Sequence, residues 1–181
     1  SNFKHLNPGL NALKQSAAAL NSVLLQKQQM ENILASARVT VFEHTGFSGK
    51  SLTFSTGFVG ASTLGPAGIQ DAITSLRIDS PLQVTAYEDA NRGGESILFI
   101  ESTSNVGGDW NDRISSMDIG VQPAFSTEIT VVSAAAAQAQ LQAVLLLGEC
   151  IGRLLHAVVQ EAVARGLQLR RVLRELVALV E

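Results

Sequence analysis

Two short stretches hold the residues best suited to chemistry. "QDAITS" runs from Gln70 to Ser75 and "NDRISS" from Asn111 to Ser116, and each sets a carboxylate three residues ahead of a hydroxyl. Asp71 with Thr74, and Asp112 with Ser115, can therefore offer an acid and an alcohol across one tight turn, with a main-chain carbonyl between them free to point inward. An all-oxygen set of this kind suits a hard cation, because calcium takes six to eight oxygens at about 2.3–2.6 Å. One Asp-x-x-Ser/Thr recurs by chance in many proteins. Here there are two, 41 residues apart, each closing a similar stretch of chain.

The elements that must position these loops follow from the same repetition. Phe42-Glu43 recurs as Tyr87-Glu88, 45 residues on. Between and around the loops, "VTVFEH", "SLTFS", "SLRIDS", "LQVTAYED", "SILFIE" and "SSMDIG" are short runs rich in β-branched and aromatic residues, separated by Gly, Asn, Asp and Ser. Eleven of the 15 glycines lie between residues 38 and 121, as turn-dense all-β chain requires. A duplicated four-strand unit of this length predicts a sandwich of two Greek keys. The acid is concentrated in the same place. Residues 38–121 carry ten Asp and Glu against five Lys and Arg, whereas residues 1–37 are net +2 and residues 122–181 are neutral.

Phe42, Phe47 and Gly49 in "FEHTGFSG" form an aromatic-x4-aromatic-x-Gly pattern that leads to the first loop, and Tyr87-Glu88 with Arg92-Gly93-Gly94 leads to the second. This resembles the βγ-crystallins, in particular their microbial, calcium-binding members, whose loops read (Asn/Asp)-(Asn/Asp)-x-x-(Ser/Thr)-Ser. The second loop fits at every fixed position. The first has Gln70 where the pattern has Asn or Asp, and Arg92 stands in place of the second hairpin aromatic. The resemblance implies two calcium ions, each clamped between the two repeats. One loop gives its Asp carboxylate and a carbonyl, and the other reaches across with its hydroxyl. Carried over, the side-chain ligands are Asp71, Thr74, Asp112 and Ser115, and the carbonyl ligands are those of Glu43, Glu88, Ala72 and Arg113. Ser75 and Ser116 are expected to brace the folded hairpins. With one carboxylate per ion, affinity should fall at roughly 10⁻⁶ to 10⁻³ M, so the sites would fill outside a cell.

Helical periodicity flanks this domain. Leu10, Leu13, Ala17, Leu20, Leu24, Met30, Ile33 and Leu34 recur at three- and four-residue spacing, and Asn7-Pro8 reads as the helix start. From about Ser133, a second helix has Leu147, Ile151, Leu154, Leu155, Val158 and Ala162 along one face. Gly166 divides it from a last helix carrying Leu169, Val172, Leu173, Leu176, Val177 and Val180. The expected architecture is α+β: an N-terminal helix (1–37), a two-Greek-key sandwich (38–121) and a C-terminal helical region (122–181), with the amphipathic helices packed as a bundle.

Other chemistries find little support. His5, His44 and His156 have no metal spacing, and no Ser-His-Asp or Cys-His order suggests an enzyme. Cys150 is the single cysteine, set in an apolar helix, and reads as a packed thiol. Trp110 reads as a packing residue and "GGDW" is not a phosphate loop. No basic stripe interleaved with aromatics points to nucleic acid. The first residues, "SNFKHLNPGL", lack an apolar leader, as a processed chain would. Residues 129–148 are uncharged, but Gln138, Gln140 and Gln142 interrupt them as a membrane span. The expected function is a secreted or surface calcium-binding structural protein that is not an enzyme and forms homo-oligomers through its helices. A membrane-active protein is the competing expectation.

Overall fold

The structure, a computed structural model, describes residues 4–166 together with Arg174, Val177 and Ala178. The chain forms α1 (Asn7–Ser36), β1 (Val39–His44), β2 (Ser48–Phe54), β3 (Gly57–Val59), α2 (Ala61–Leu64), β4 (Ser75–Ile78), β5 (Leu82–Asp89), β6 (Gly93–Phe99), β7 (Ser116–Val121) and α3 (Pro123–Ala164). The architecture is α+β. By contacts it divides into two compact units, residues 28–131 and residues 1–27 with 132–181.

The β unit holds two antiparallel sheets, β2-β1-β4 and β3-β7-β5-β6. The repeat is plain in the pairing: β1 lies between β2 and β4 as β5 lies between β6 and β7. Each repeat also sends a piece to the other's sheet. β3, from the first repeat, pairs with β7 of the second, and Thr103, from the second, bridges to Leu76 of β4. Alternation along the strands decides the core. β1 buries Val39 and Val41, and β5 buries Leu82, Val84 and Ala86, so the apolar face of each meets the other sheet. Ile69, Ile73 and Ile114 join this core, which roots both acidic loops in buried apolar side chains.

Six of the seven strands were expected. The seventh, β3, is only three residues long, and it is a strand because β7 presents an open edge to it.

In the helical unit α1 and α3 lie side by side and antiparallel. His5 shares a cleft with His156 and Gln160, while Gly9 approaches Cys150, where an added Cβ would sit 3.5 Å from the sulfur. The residues turned inward repeat every three and four positions. On α1 they are Leu6, Gly9, Leu13, Ser16, Leu20 and Val23, and on α3 they are Val132, Ala136, Ala139, Ala143, Leu146 and Cys150. That 3.5-residue period marks a coiled-coil seam, and its small side chains let the two backbones approach.

Two expectations need correction. Leu10 and Leu24 on α1, and Leu147, Ile151, Leu154 and Leu155 on α3, are exposed, not buried. Leucine spacing gave the right period and part of the face: Leu13, Leu20, Met30 and Leu34 on α1 and Val158 and Ala162 on α3 are buried or half-buried, while alanine, glycine and serine take seam positions where the other leucines were expected. Also, α3 begins at Pro123, ten residues before Ser133, with Pro at its first position where no backbone N–H is needed. The last expected helix lies outside the described residues, apart from Arg174, Val177 and Ala178.

A paired-loop candidate metal site

Each loop hangs from a folded hairpin, and the hairpins are built alike. In the first, Gly46 and Phe47 have φ of 67° and 61°; in the second, Asn91 and Arg92 have 56° and 67°. The serine that closes each loop holds the hairpin down. Ser75 Oγ donates to the His44 carbonyl at 2.6 Å and accepts from the Phe47 N–H at 3.1 Å; Ser116 Oγ donates to the Asp89 carbonyl at 2.7 Å and accepts from the Arg92 N–H at 3.1 Å. Both serines are wholly buried, so this is the bracing role expected of them. Gly49 and Gly94 turn beneath the hairpins at φ of 82° and 71°, and a Cβ at Gly49 would come within 2.8 Å of the His44 ring. Only glycine fits there.

The two repeats then diverge in side chains that lie at equivalent positions. In the first, Phe42 and Phe47 meet edge to face at 5.8 Å, and the Arg77 guanidinium lies 4.8 Å from the Phe47 ring centre. In the second, Arg92 replaces the aromatic and Asp118 replaces Arg77. Arg92 donates twice to Asp118, at 2.6 and 2.7 Å, and the Tyr87 hydroxyl adds a third bond at 3.2 Å. Arg92 also stacks on Phe58 at 4.1 Å. The Arg92 hydrogen bond holds the Asp118 carboxyl below its ordinary range, and burial, followed by the Asp118 hydrogen bond, pushes the Tyr87 hydroxyl up. The departure at Arg92 is thus matched by a second one at Asp118, and an ion pair takes over the work of the aromatic pair.

The loops themselves face each other. Asp71 and Asp112 both adopt left-handed backbone conformations, φ 53° and 57°, which suit Asp better than most residues. Main-chain bonds tie each loop to the strand that carries the aromatic-Glu pair: Thr74 N–H to the Phe42 carbonyl at 2.9 Å and Ser115 N–H to the Tyr87 carbonyl at 3.0 Å. Across the loops, the buried Ser115 hydroxyl donates to the Asp71 carboxylate. The buried Thr74 hydroxyl donates to Asn111 Oδ1 at 2.8 Å, and Asn111 Nδ2 in turn donates to Asp112 at 2.8 Å. Glu43, His44, Thr45, Asp71, Ala72, Thr74, Asn111 and Asp112 line one open cleft of about 710 Å³.

Of the eight residues named from sequence, Glu43, Asp71, Ala72, Thr74 and Asp112 thus share a cleft. Ser115 joins them through Asp71. Glu88 and Arg113 stand at the corresponding places of the second repeat and are joined by a 2.5 Å ion pair, which with the Glu95 N–H holds the Glu88 carboxyl below its ordinary range. Sequence reasoning did not foresee Asn111 as the bridge between Thr74 and Asp112, although it is the first residue of the second loop motif. Nor did it foresee the side-chain role of Arg113. Among the described residues no three His, Cys, Asp or Glu side chains cluster as a ready metal cage. What the loops provide is a single carboxylate each, supported by hydroxyl and main-chain oxygens.

A duplicated Greek-key sandwich with exchanged edge strands and serine-braced hairpins defines a crystallin-type β-domain. Solved structures agree. A βγ-crystallin domain from Clostridium beijerinckii is 34% identical over 45% of this chain and 94% of that one, with a TM-score of 0.43. One from Flavobacterium johnsoniae is 30% identical over 47% and 96%, with a TM-score of 0.45. A doubly substituted clostrillin in complex with nickel is 32% identical over 45% and 95%, with a TM-score of 0.44. No family profile matches the chain, and neither does any curated protein. On the identity over nearly the whole length of those domains, the chain belongs to the βγ-crystallin family through its central domain. The helices are not covered by the likeness.

Proposed function

We propose that this is a non-enzymatic, calcium-binding structural protein, secreted or surface-located, which self-assembles through its helices while calcium stabilises its β-domain. The observation that carries the calcium reading is the cross-loop contact: a hydroxyl from one loop already reaches a carboxylate of the other, Ser115 to Asp71, with Thr74, Asn111 and Asp112 chained in the opposite direction. These are hard oxygen donors, which fit calcium better than softer metals. Each carbonyl is grouped with the hydroxyl of its own loop, not with the carboxylate as the resemblance alone implies, because Thr74 and Ser115 are tied by main-chain bonds to the strands that carry Glu43 and Glu88. One ion would be held by the Glu43 and Ala72 carbonyls, Thr74 and Asp112. The other would be held by the Glu88 and Arg113 carbonyls, Ser115 and Asp71. Calorimetric titration with calcium, alongside thermal melts, tests this. A hundredfold excess over Kd adds about 2.7 kcal/mol, a rise of several degrees in Tm. Absence of both heat and thermal shift at millimolar calcium rejects it.

The assembly reading rests on the outer face of α3, where Leu141, Val144, Leu145, Leu147, Ile151, Leu154 and Leu155 are all exposed, Val144 by 65%. An apolar groove of about 230 Å³ between Leu6, Leu10 and Leu13 of α1 and Leu147, Ile151 and Leu154 of α3 continues it. A second copy is the occupant that covers both. Fully burying half-exposed side chains contributes roughly half of the ~1.5–3 kcal/mol each is worth, and seven from each copy compare well with an association cost of about 4–15 kcal/mol. Sedimentation of the full chain should show oligomers at micromolar concentration; a monomer refutes it.

One observation favours a second reading, a membrane-active protein. By length and composition α3 could cross a membrane, and only 11% of its most apolar window is buried. Release of dye from liposomes by a monomeric protein would support that reading against assembly.

A further inference from the structure

We infer that Arg113 makes the two calcium sites unequal: the site around Glu43, Thr74 and Asp112 fills first, and the site around Glu88, Ser115 and Asp71 is weakened by the Arg113 guanidinium. This rests on the calcium reading above and names what tunes it. The position after the loop aspartate is Ala72 in the first repeat and Arg113 in the second, so only the second carries a cation there. In the first repeat, the Glu43 carboxylate accepts a single bond, from the Lys50 backbone N–H at 3.2 Å. The cleft it lines also holds Asp112, and Asp71 of the second site, and among the described residues that line it none is Lys or Arg. In the second repeat, the Glu88 carboxylate accepts the Glu95 N–H at 3.5 Å but is also paired with Arg113 at 2.5 Å.

Arg113 is not a wandering side chain. Its other terminal nitrogen donates to the Asp109 carbonyl at 2.6 Å, the Glu95 carboxylate lies 3.7 Å away, and the guanidinium carbon is 5.8 Å from the Trp110 ring centre. The cation is therefore held beside Glu88, whose carbonyl the calcium reading assigns to the second site. A guanidinium held beside the second site repels a divalent ion there through largely solvent-screened charge, a loss of affinity of roughly five- to tenfold at low ionic strength. Added salt should reduce that penalty, because the group is partly solvated.

Calcium titration of the full chain by calorimetry at low salt provides the test. The wild type should bind two ions in two classes at least about fivefold apart. Arg113→Ala should strengthen the weaker class by roughly five- to tenfold and leave the tighter one unchanged. Arg113→Lys, which keeps the charge, should retain the gap, and Glu88→Gln, which frees the guanidinium but keeps the carbonyl, should widen it. Ser115→Ala should remove the class that Arg113→Ala strengthens. Two bound ions with constants that Arg113→Ala does not move would overturn the inference and leave the calcium reading intact, as would a gain in the class that Thr74→Ala removes. A wild type that takes up no calcium at all overturns the calcium reading itself.

Discussion

Replacing Ser116 by Ala removes one oxygen from the centre of the second hairpin, and the structure sets what that should cost. The hydroxyl is wholly buried, donates to the Asp89 carbonyl at 2.7 Å and accepts from the Arg92 N–H at 3.1 Å. Alanine leaves one donor and one acceptor without partners, at about 1–3 kcal/mol for each group that stays dry. Some solvent reaches the hairpin, so about 2–4 kcal/mol is expected for the pair. That is a large part of a domain's total stability of about 5–15 kcal/mol. Ser75 makes the same two bonds, at 2.6 and 3.1 Å, so Ser75→Ala serves as an internal replicate and should lose the same amount within about 1 kcal/mol. Urea unfolding of both variants, read at constant slope, gives the numbers. Each should also lose calcium affinity, because the hairpin carries the Glu43 or Glu88 carbonyl. Losses below about 0.5 kcal/mol in both variants would refute the bracing role, since surface changes without such a role fall in that range.

The remaining expectations concern the loops, the ion pair and the helices. Asp112→Ala should weaken both ions in calorimetry, because it removes a ligand of one site and disturbs the turn that presents Ser115 to the other; loss of one site with the other untouched would refute the cross-loop clamp. Acid should loosen the second hairpin first. Asp118 has its folded pKa depressed by Arg92, so its contribution is present above the unfolded carboxylate value of about 3.9 and is lost as pH falls through the lower folded one. Asp118→Asn should flatten that part of the pH-stability curve. The excised segment 38–121, with its net charge of −5, should sediment as a monomer under conditions where the full chain assembles. Glu at Leu154 and Val158, or at Leu173 in the segment beyond Gly166, should disperse the full chain while calcium uptake persists.

Much of the β-domain was legible in the sequence because its signals are local and doubled. β-branched runs between glycine-rich turns mark six strands, and the recurrence of the aromatic-Glu pair and of Asp-x-x-Ser/Thr marks the two loops. What escaped depends on partners distant in the chain. β3 exists only against β7. The exchange of Phe47 and Arg77 for Arg92 and Asp118 is visible only when equivalent places in the two repeats are laid over each other. In the helices, the period of the leucines could be read but only in part which side would find a partner, and the seam of Gly9, Ser16, Ala136, Ala139 and Ala143 carries little hydrophobic signal. The early start of α3 was hidden by Ser126, Thr127 and Thr130, whose helix propensity is modest. In the structure, Thr127 and Thr130 bond back to carbonyls four residues earlier, at 3.0 and 2.8 Å.

The crossing of β3 and of the Thr103 segment says something about how such a chain could have arisen. Each repeat lacks an edge in its own sheet and finds it in the other: β7 is completed by residues 57–59, and β4 by Thr103. A half-gene encoding one repeat would yield a polypeptide with an open edge and a spare strand, a pair of features that fit a second copy of the same polypeptide. Two identical halves could therefore have closed on each other before they were joined. Fusion then freed each half to vary without losing its mate, and the aromatic pair in one hairpin and the ion pair in the other are what that freedom looks like.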